Sequence, residues 1–320
     1  MGEYLGPKAL VIDEVQKVAN WSEWVKREWD ADTRAGLDLQ VVILGSSRLM
    51  LQQGLSESLA GRFEVMYLGH WSLAEMREAF DLNPREYVWF GGYPGAATLI
   101  RDENRWKNYV ATALIEASIS KDILMLTQVN KPALMKRLFE LGCQFSGQIL
   151  SYNKILGQLQ DAGNTTTLAH YLDLLHQAGL LAGLQKYSPS PIRQRASSPK
   201  YQVHNNALLS AQQGFPRQHV QQDPGLWGRW IESAVGSHLL NQSLTHHLSL
   251  NYWRHRHDEV DFVLGYQNQI IGLEVKSGAL ANRKGLSAFR QQFKPHRTYV
   301  IGTDGLPWED LLGMDVRELF

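Results

Sequence analysis

Two short apolar runs stand near the start of the chain, "ALVID" (9–13) and "QVVILG" (40–45). Unbroken apolar positions over such a length mark strands covered on both faces. Between them Trp21, Val25 and Trp29 recur at i, i+4 and i+8, which predicts a helix. Strand, helix and strand at this spacing imply a parallel sheet. Residues 72–140 carry helical periodicity, broken at "GGYPGAAT" (91–98). In 151–181, Ile155, Leu156 and Leu159 stripe one helix; Leu168, Leu172, Leu175 and Leu180 stripe a second. A Gly-containing turn joins them, which gives a helix-turn-helix shape. From residue 224 the pattern alternates again: helix (226–240), strands (259–266 and 270–277), helix (281–293), strand (297–302).

Composition narrows the class. A chain of 320 residues, 44% hydrophobic and 20% charged, is an ordinary globular chain with room for two or three domains. Formal charge is zero, so any nucleic-acid contact must come from a local patch. One cysteine, Cys143, excludes an intrachain disulfide and a multi-cysteine zinc site; "LFELGCQFSG" places it as a helical core thiol. No apolar run reaches the ~18 residues of a membrane span, and the N-terminus has no signal pattern. A cytoplasmic chain without a membrane partner is the expectation.

Three places carry candidate chemistry. Asp13 and Glu14 end the first strand, where open α/β sheets place ligands; they are equally suited to start a helix. Thr165, Thr166, Thr167, His170 and Tyr171 face partly outward at the start of the second helix of 151–181, the position of a recognition helix. The segment 184–205 that follows has three prolines and the basic residues Lys186, Arg193, Arg195 and Lys200. The third place is "HDEVDFVLGYQNQIIGLEVKSG" (257–278). A two-residue turn at Gln267 and Asn268 pairs 266 with 269 and sets Asp261 opposite Glu274. Alternation then gives Val260, Phe262, Leu264, Leu273 and Val275 one face, and Asp261, Glu274 and Lys276 the other. Asp beside Glu, with Lys two residues on, can hold Mg²⁺ or Mn²⁺ and a water against a phosphodiester. The competing account is a surface hairpin with a Glu274–Lys276 salt bridge.

Taken together, "LVIDEVQKV", "VILGSSRLML", "ESLAGRFE" and "GGYPGA" resemble a prokaryotic family of AAA-like ATPases with a C-terminal domain of unknown function. The resemblance implies that Asp13 and Glu14 are the Walker B pair, Ser46 or Ser47 the γ-phosphate sensor, and Arg62 an arginine finger or, more simply, a surface arginine. It implies ATP as a ligand. The hairpin 257–278 resembles the PD-(D/E)xK nuclease motif, with Asp261, Glu274 and Lys276 as its acids and lysine and Glu232 as an upstream acid on helix 226–240. Val260 stands where that motif has proline. The 151–205 rhythm resembles winged-helix domains, with the basic segment as wing. Thr165, Thr167, His170, Arg193 and Arg195 are then the DNA contacts, although such modules also serve as protein–protein spacers.

The chain departs from the ATPase family in one respect. It contains no Gly-Lys dipeptide, so it has no G-x-x-x-x-G-K-[ST] phosphate loop. The family's first strand, phosphate loop and following helix are expected before residue 1. A degraded paralogue, half of a split gene and a displaced start codon all remain open. The expected fold is α/β: a partial AAA-like P-loop-type sheet (1–80), a helical lid (81–140), a winged helix (141–215) and a restriction-endonuclease-like PD-(D/E)xK domain (216–320). The expected function is that of the C-terminal part of such an ATPase, whose terminal domain binds or cleaves nucleic acid with a divalent metal. The alternative is a non-catalytic scaffold. Expected partners are DNA and either the P-loop fragment or a second copy, since a truncated sheet exposes an edge. Without a phosphate loop, the 320-residue chain is expected to bind Mg–ATP no tighter than about millimolar, roughly 4 kcal/mol. Calorimetry that finds micromolar binding overturns this.

Overall fold

The computed structural model describes residues 8–45, 59–124, 129–158, 164–190, 194, 197–276 and 284–320. Strand β1 (Lys8–Ile12) and strand β2 (Leu39–Ile43) pair in parallel across helix α1 (Trp21–Ala35), as the apolar pattern predicts. Val15, Trp21 and Leu59 form a small core there. Leu10, Val11 and Val42 of these strands, and Leu44 just after β2, stand exposed.

Short helices follow: Leu73–Phe80, Pro84–Phe90, Pro94–Ala97 and Glu103–Tyr109. The first two open on reciprocal capping boxes, Ser72 with Glu75 and Asn83 with Glu86. Val110–Ile123 continues as wide π-helical turns. Helices α2 (Pro132–Gln144), α3 (Tyr152–Leu156) and α4 (Thr165–Gln177) precede a hairpin of β3 (Leu181–Lys186) and β4 (Lys200–Val203). Ile155, Leu168, Leu172, Leu175 and Leu180 are buried, as their stripes require; Leu156 is half-buried, and Leu159 lies outside the described residues. Cys143 lies buried on α2, and burial pushes its thiol up, away from reactivity.

The hairpin is built into a larger sheet. Helix α5 (Pro224–His246), capped by Asp223, leads to β5 (Ser249–His255), β6 (Asp258–Tyr266), β7 (Gln269–Lys276), helix α6 (Lys284–Phe293) and β8 (Arg297–Gly302). The six strands run β4-β3-β5-β6-β7-β8 in a mixed sheet. Strand β5 escapes pattern reading because its buried Asn251 breaks the apolar rhythm; in the sheet it donates to the Gln185 carbonyl at 3.2 Å. The β6–β7 register is the expected one, Tyr266 opposite Gln269 and Phe262 opposite Leu273. Gln267 and Asn268 turn with φ 46° and 66°, the left-handed pair that suits the twist of a two-residue hairpin.

Alternation on β6 is interrupted. Asn251 pairs with Val263 but Trp253 with Val260, so Asp261 and Phe262 together face Tyr252. The bulge re-aims side chains. Val260 therefore packs with Trp253, Val263, Leu286 and Phe289, while Phe262 and Leu264 join the main core. This corrects the single face expected for Val260, Phe262 and Leu264. On the α5 side the helix meets the sheet at Gly236, where a Cβ would lie 2.8 Å from Phe262 Cζ and collide with Gln202 Oε1. Gly236→Ala would gain about 1 kcal/mol in helix propensity. Overpacking costs about 1–3 kcal/mol, so the expected result is a lower urea midpoint. An unchanged or higher midpoint would show that α5 can move off the sheet freely.

Candidate functional site

Three strands and one helix bring the charged residues together. Lys200 begins β4, Glu232 lies on α5, Glu259 and Asp261 lie on β6, and Glu274 and Lys276 end β7. Lys200 Nζ donates to Glu232 Oε1 at 2.9 Å, to the Asp261 carbonyl at 3.2 Å and to Asp261 Oδ1 at 3.4 Å. The same ammonium sits 4.6 Å from the Phe262 ring centroid, and its side chain has no solvent exposure. Asp261 Oδ2 accepts the Val275 N–H at 2.8 Å. This is where the paired residues of β6 and β7 end, at Phe262–Leu273, so a side chain takes up a strand donor. Lys276 Nζ lies 2.9 Å from Glu274 Oε1. Glu274 Oε2 is buried with no hydrogen-bond partner among the described residues.

The electrostatics follow from burial and pairing. Burial alone would lower the Lys200 ammonium; Glu232 and Asp261 outweigh it and hold it protonated. Burial raises the Glu232 carboxyl, Lys200 pulls it back, and Asp261 and Glu259 push it up again, leaving it above the usual carboxylate range. Glu259 and Glu274 are raised too, each first by burial. Lys276 is raised by Glu274 against its own burial. The cluster is crowded with acid and carries two cations, Lys200 buried and Lys276 half-exposed.

The structure thus brings Asp261, Glu274, Lys276 and Glu232 into one neighbourhood, and adds Lys200. Lys200 was expected on an exposed wing; it is instead the innermost charge of the site, because strand β4 runs beside α5. Among the described residues, no group of three His, Cys, Asp or Glu side chains is placed to hold a metal ion. A site there rests on two carboxylates at most, which is enough for Mg²⁺ when water and phosphate complete its shell.

The other candidates lie apart. Asp13 is exposed at the end of β1; Glu14, at φ 52°, donates its N–H to Asp13 Oδ1 at 2.8 Å and pairs with Lys17 at 2.8 Å. Arg62 reaches Asp30 at 3.9 Å and lies over the Trp29 ring. Ser46, Ser47, Arg193 and Arg195 fall outside the described residues. On α4, Thr165 and His170 are exposed, and Thr167 donates its N–H and hydroxyl to Oδ1 of Asn164, the residue that caps the helix. Tyr171, expected outward, is buried with its hydroxyl accepting from Lys131 N–H at 3.0 Å; its ring belongs to the core stripe.

Comparison with known families divides the chain in three. Residues 2–77 match the family model of an AAA domain, 82–219 a domain of unknown function (DUF8612), and 227–308 a second domain of unknown function (DUF4143). The AAA and DUF4143 matches support an AAA-like ATPase family. An uncharacterized protein of Mycobacterium tuberculosis is 26% identical over 272 residues, covering 83% of this chain and 58% of the relative; one of Mycobacterium bovis matches equally. An uncharacterized protein of Methanocaldococcus jannaschii is 23% identical over 308 residues, 90% of this chain and 65% of its own length. The chain therefore spans less than two thirds of these relatives. No solved structure matches it. No helix among the described residues is long and apolar enough to cross a membrane.

Glu274 yields a pH test. Its folded carboxyl is raised above the ordinary 4.5, so the folded state holds its proton to higher pH than the unfolded chain. Stability from this group is complete below 4.5 and is lost as pH rises through the folded value. Glu274→Gln should therefore melt no lower than wild type at pH 7.5, with the gap between them smaller at pH 5. A variant that melts well below wild type at pH 7.5 would show the Lys276 pair outweighing burial.

Proposed function

We propose that this chain is part of an AAA-like ATPase family protein whose C-terminal domain engages nucleic acid with a divalent cation at the end of β6 and β7. The observation that carries the reading is Glu274 Oε2: a buried carboxylate oxygen without a partner among the described residues, beside Asp261, with a half-exposed lysine two residues on. An orphaned buried oxygen is costly unless something is to fill its place. Hard carboxylate oxygens suit Mg²⁺ or Mn²⁺ rather than zinc. Bound there, the ion would supply Lewis-acid polarisation of a phosphodiester and a lowered pKa for a water. The chain's own residues do the rest. Asp261 and Glu274 would hold the ion, and the Val275 N–H fixes Asp261. Lys276 would leave Glu274 to meet a phosphate oxygen, its charge suited to the attacked group.

The element order α2–α3–α4–β3–β4 supports a winged-helix reading of the middle segment, with Thr165, Thr167 and His170 on the face that would meet DNA. Asp13, Glu14 and Arg62 stand as the nucleotide-site remnant, with ATP inferred from family resemblance alone. The exposed apolar residues of β1 and β2 fit cover by a P-loop-bearing partner segment or a second copy. The scaffold reading is favoured by one observation, the full internalisation of Lys200, which pairs with two acids without any metal.

The experiment is Mn²⁺ titration of the chain followed by electron paramagnetic resonance, with nicking of supercoiled DNA as the second readout. Asp261→Ala and Glu274→Ala should each abolish both, and Lys276→Ala should abolish nicking while keeping most Mn²⁺ affinity. Val263→Ala, on the α6 side of the same strand, should change Mn²⁺ affinity less than about threefold, under 1 kcal/mol. Absence of any Mn²⁺ site leaves the scaffold reading.

A further inference from the structure

Lys200 has an environment that ordinary ion pairing does not require. Three oxygens from two residues converge on its nitrogen: Glu232 Oε1 at 2.9 Å, the Asp261 carbonyl at 3.2 Å and Asp261 Oδ1 at 3.4 Å. Carboxylate, carbonyl and carboxylate are the donor set that a hard divalent cation takes. The distances are those of N–H···O bonds; a metal would need about 2.0–2.6 Å. The fourth side is the face of Phe262 at 4.6 Å, which attracts an ammonium through its ring quadrupole. No part of the Lys200 side chain reaches solvent, so it cannot touch a substrate in this conformation.

We propose that Lys200 is a built-in substitute for a divalent cation, occupying the place between Glu232 and Asp261 that a metal ion would otherwise take. Glu232 is then a positioning residue, bound to an ammonium rather than to a metal. The lysine supplies one positive charge between two half-buried acids, so the domain folds without divalent ions. Any metal is confined to the Asp261–Glu274 side, where Glu274 Oε2 has no partner among the described residues. That confinement rests on the metal reading given above; the substitution of ammonium for metal does not.

Lys200→Met is one atom shorter, so it removes the ammonium and its charge while keeping most of the apolar stem. Glu232 and Asp261 are then left as adjacent acids with an empty space of cation size. In the full chain, Lys200→Met should bind one more Mn²⁺ than wild type by electron paramagnetic resonance, and Mn²⁺ should raise its thermal midpoint more than that of wild type. Lys200→Arg, which keeps the charge, should show no gain, and Lys200→Met with Glu232→Gln should lose it. In the wild-type background Glu232→Gln should leave Mn²⁺ stoichiometry unchanged. The proposal is overturned if Lys200→Met gains no Mn²⁺, if it fails to fold with and without Mn²⁺, or if Glu232→Gln alone removes a wild-type site. A wild type that binds no Mn²⁺, combined with a gain in Lys200→Met, sinks the metal reading and upholds this one.

Discussion

The C-terminal sheet is organised around one buried charge. Taking an ammonium out of water costs several kcal/mol, and the cost is met only where partners are well placed. Lys200 finds its partners on α5 and β6, at Glu232 and Asp261. Strand β4, helix α5 and strand β6 therefore cannot slide past one another without uncovering a charge. Removing one partner of such a pair typically costs about 3–5 kcal/mol, a large share of the stability of a domain. The bulge at Asp261 and Phe262 belongs to the same constraint. It sets the Asp261 carbonyl and carboxylate toward Lys200 while Phe262 supplies the ring beneath.

This lock crosses the borders between the matched family segments. Lys200 comes from the middle segment, matched over 82–219; Glu232 and Asp261 come from the last, matched over 227–308. The β3–β4 hairpin extends the C-terminal sheet through β5, and one hydrophobic core runs from Leu73 to Leu319. The helical middle and the terminal sheet are energetically a single body. A conformational change in one would be felt at the acids of the other.

Among the described residues, the N-terminal strands have no comparable lock. A parallel pair normally lies within a wider sheet with both faces covered, and two strands alone are marginal. Here the described cover on β1 and β2 is the small cluster around Val15, Trp21 and Leu59, and apolar side chains of both strands meet solvent. The acids at the end of β1 are held in a local arrangement: Glu14 to Lys17, and the Glu14 N–H to Asp13.

Periodicity alone determined most elements: the parallel strands flanking α1, the striped helices, and the β6–β7 hairpin with its register and turn. These signals are local, since a helix or hairpin writes its spacing into adjacent residues. The acids and lysine of that hairpin were legible for the same reason, and Glu232 by its place between glycines on a helix. Strand β5 was not, because its polar residues are satisfied by neighbours the sequence does not name. The bulge was not, because it depends on how β5 lies against β6. Lys200 was the largest miss: in "SSPKYQVHN" it reads as one more basic residue of a surface loop. Its partners stand 32 and 61 residues away, and a long-range ion pair leaves no pattern in either segment. Only the packing of β4 beside α5 decided that this lysine lies inside, where charge must be answered by charge.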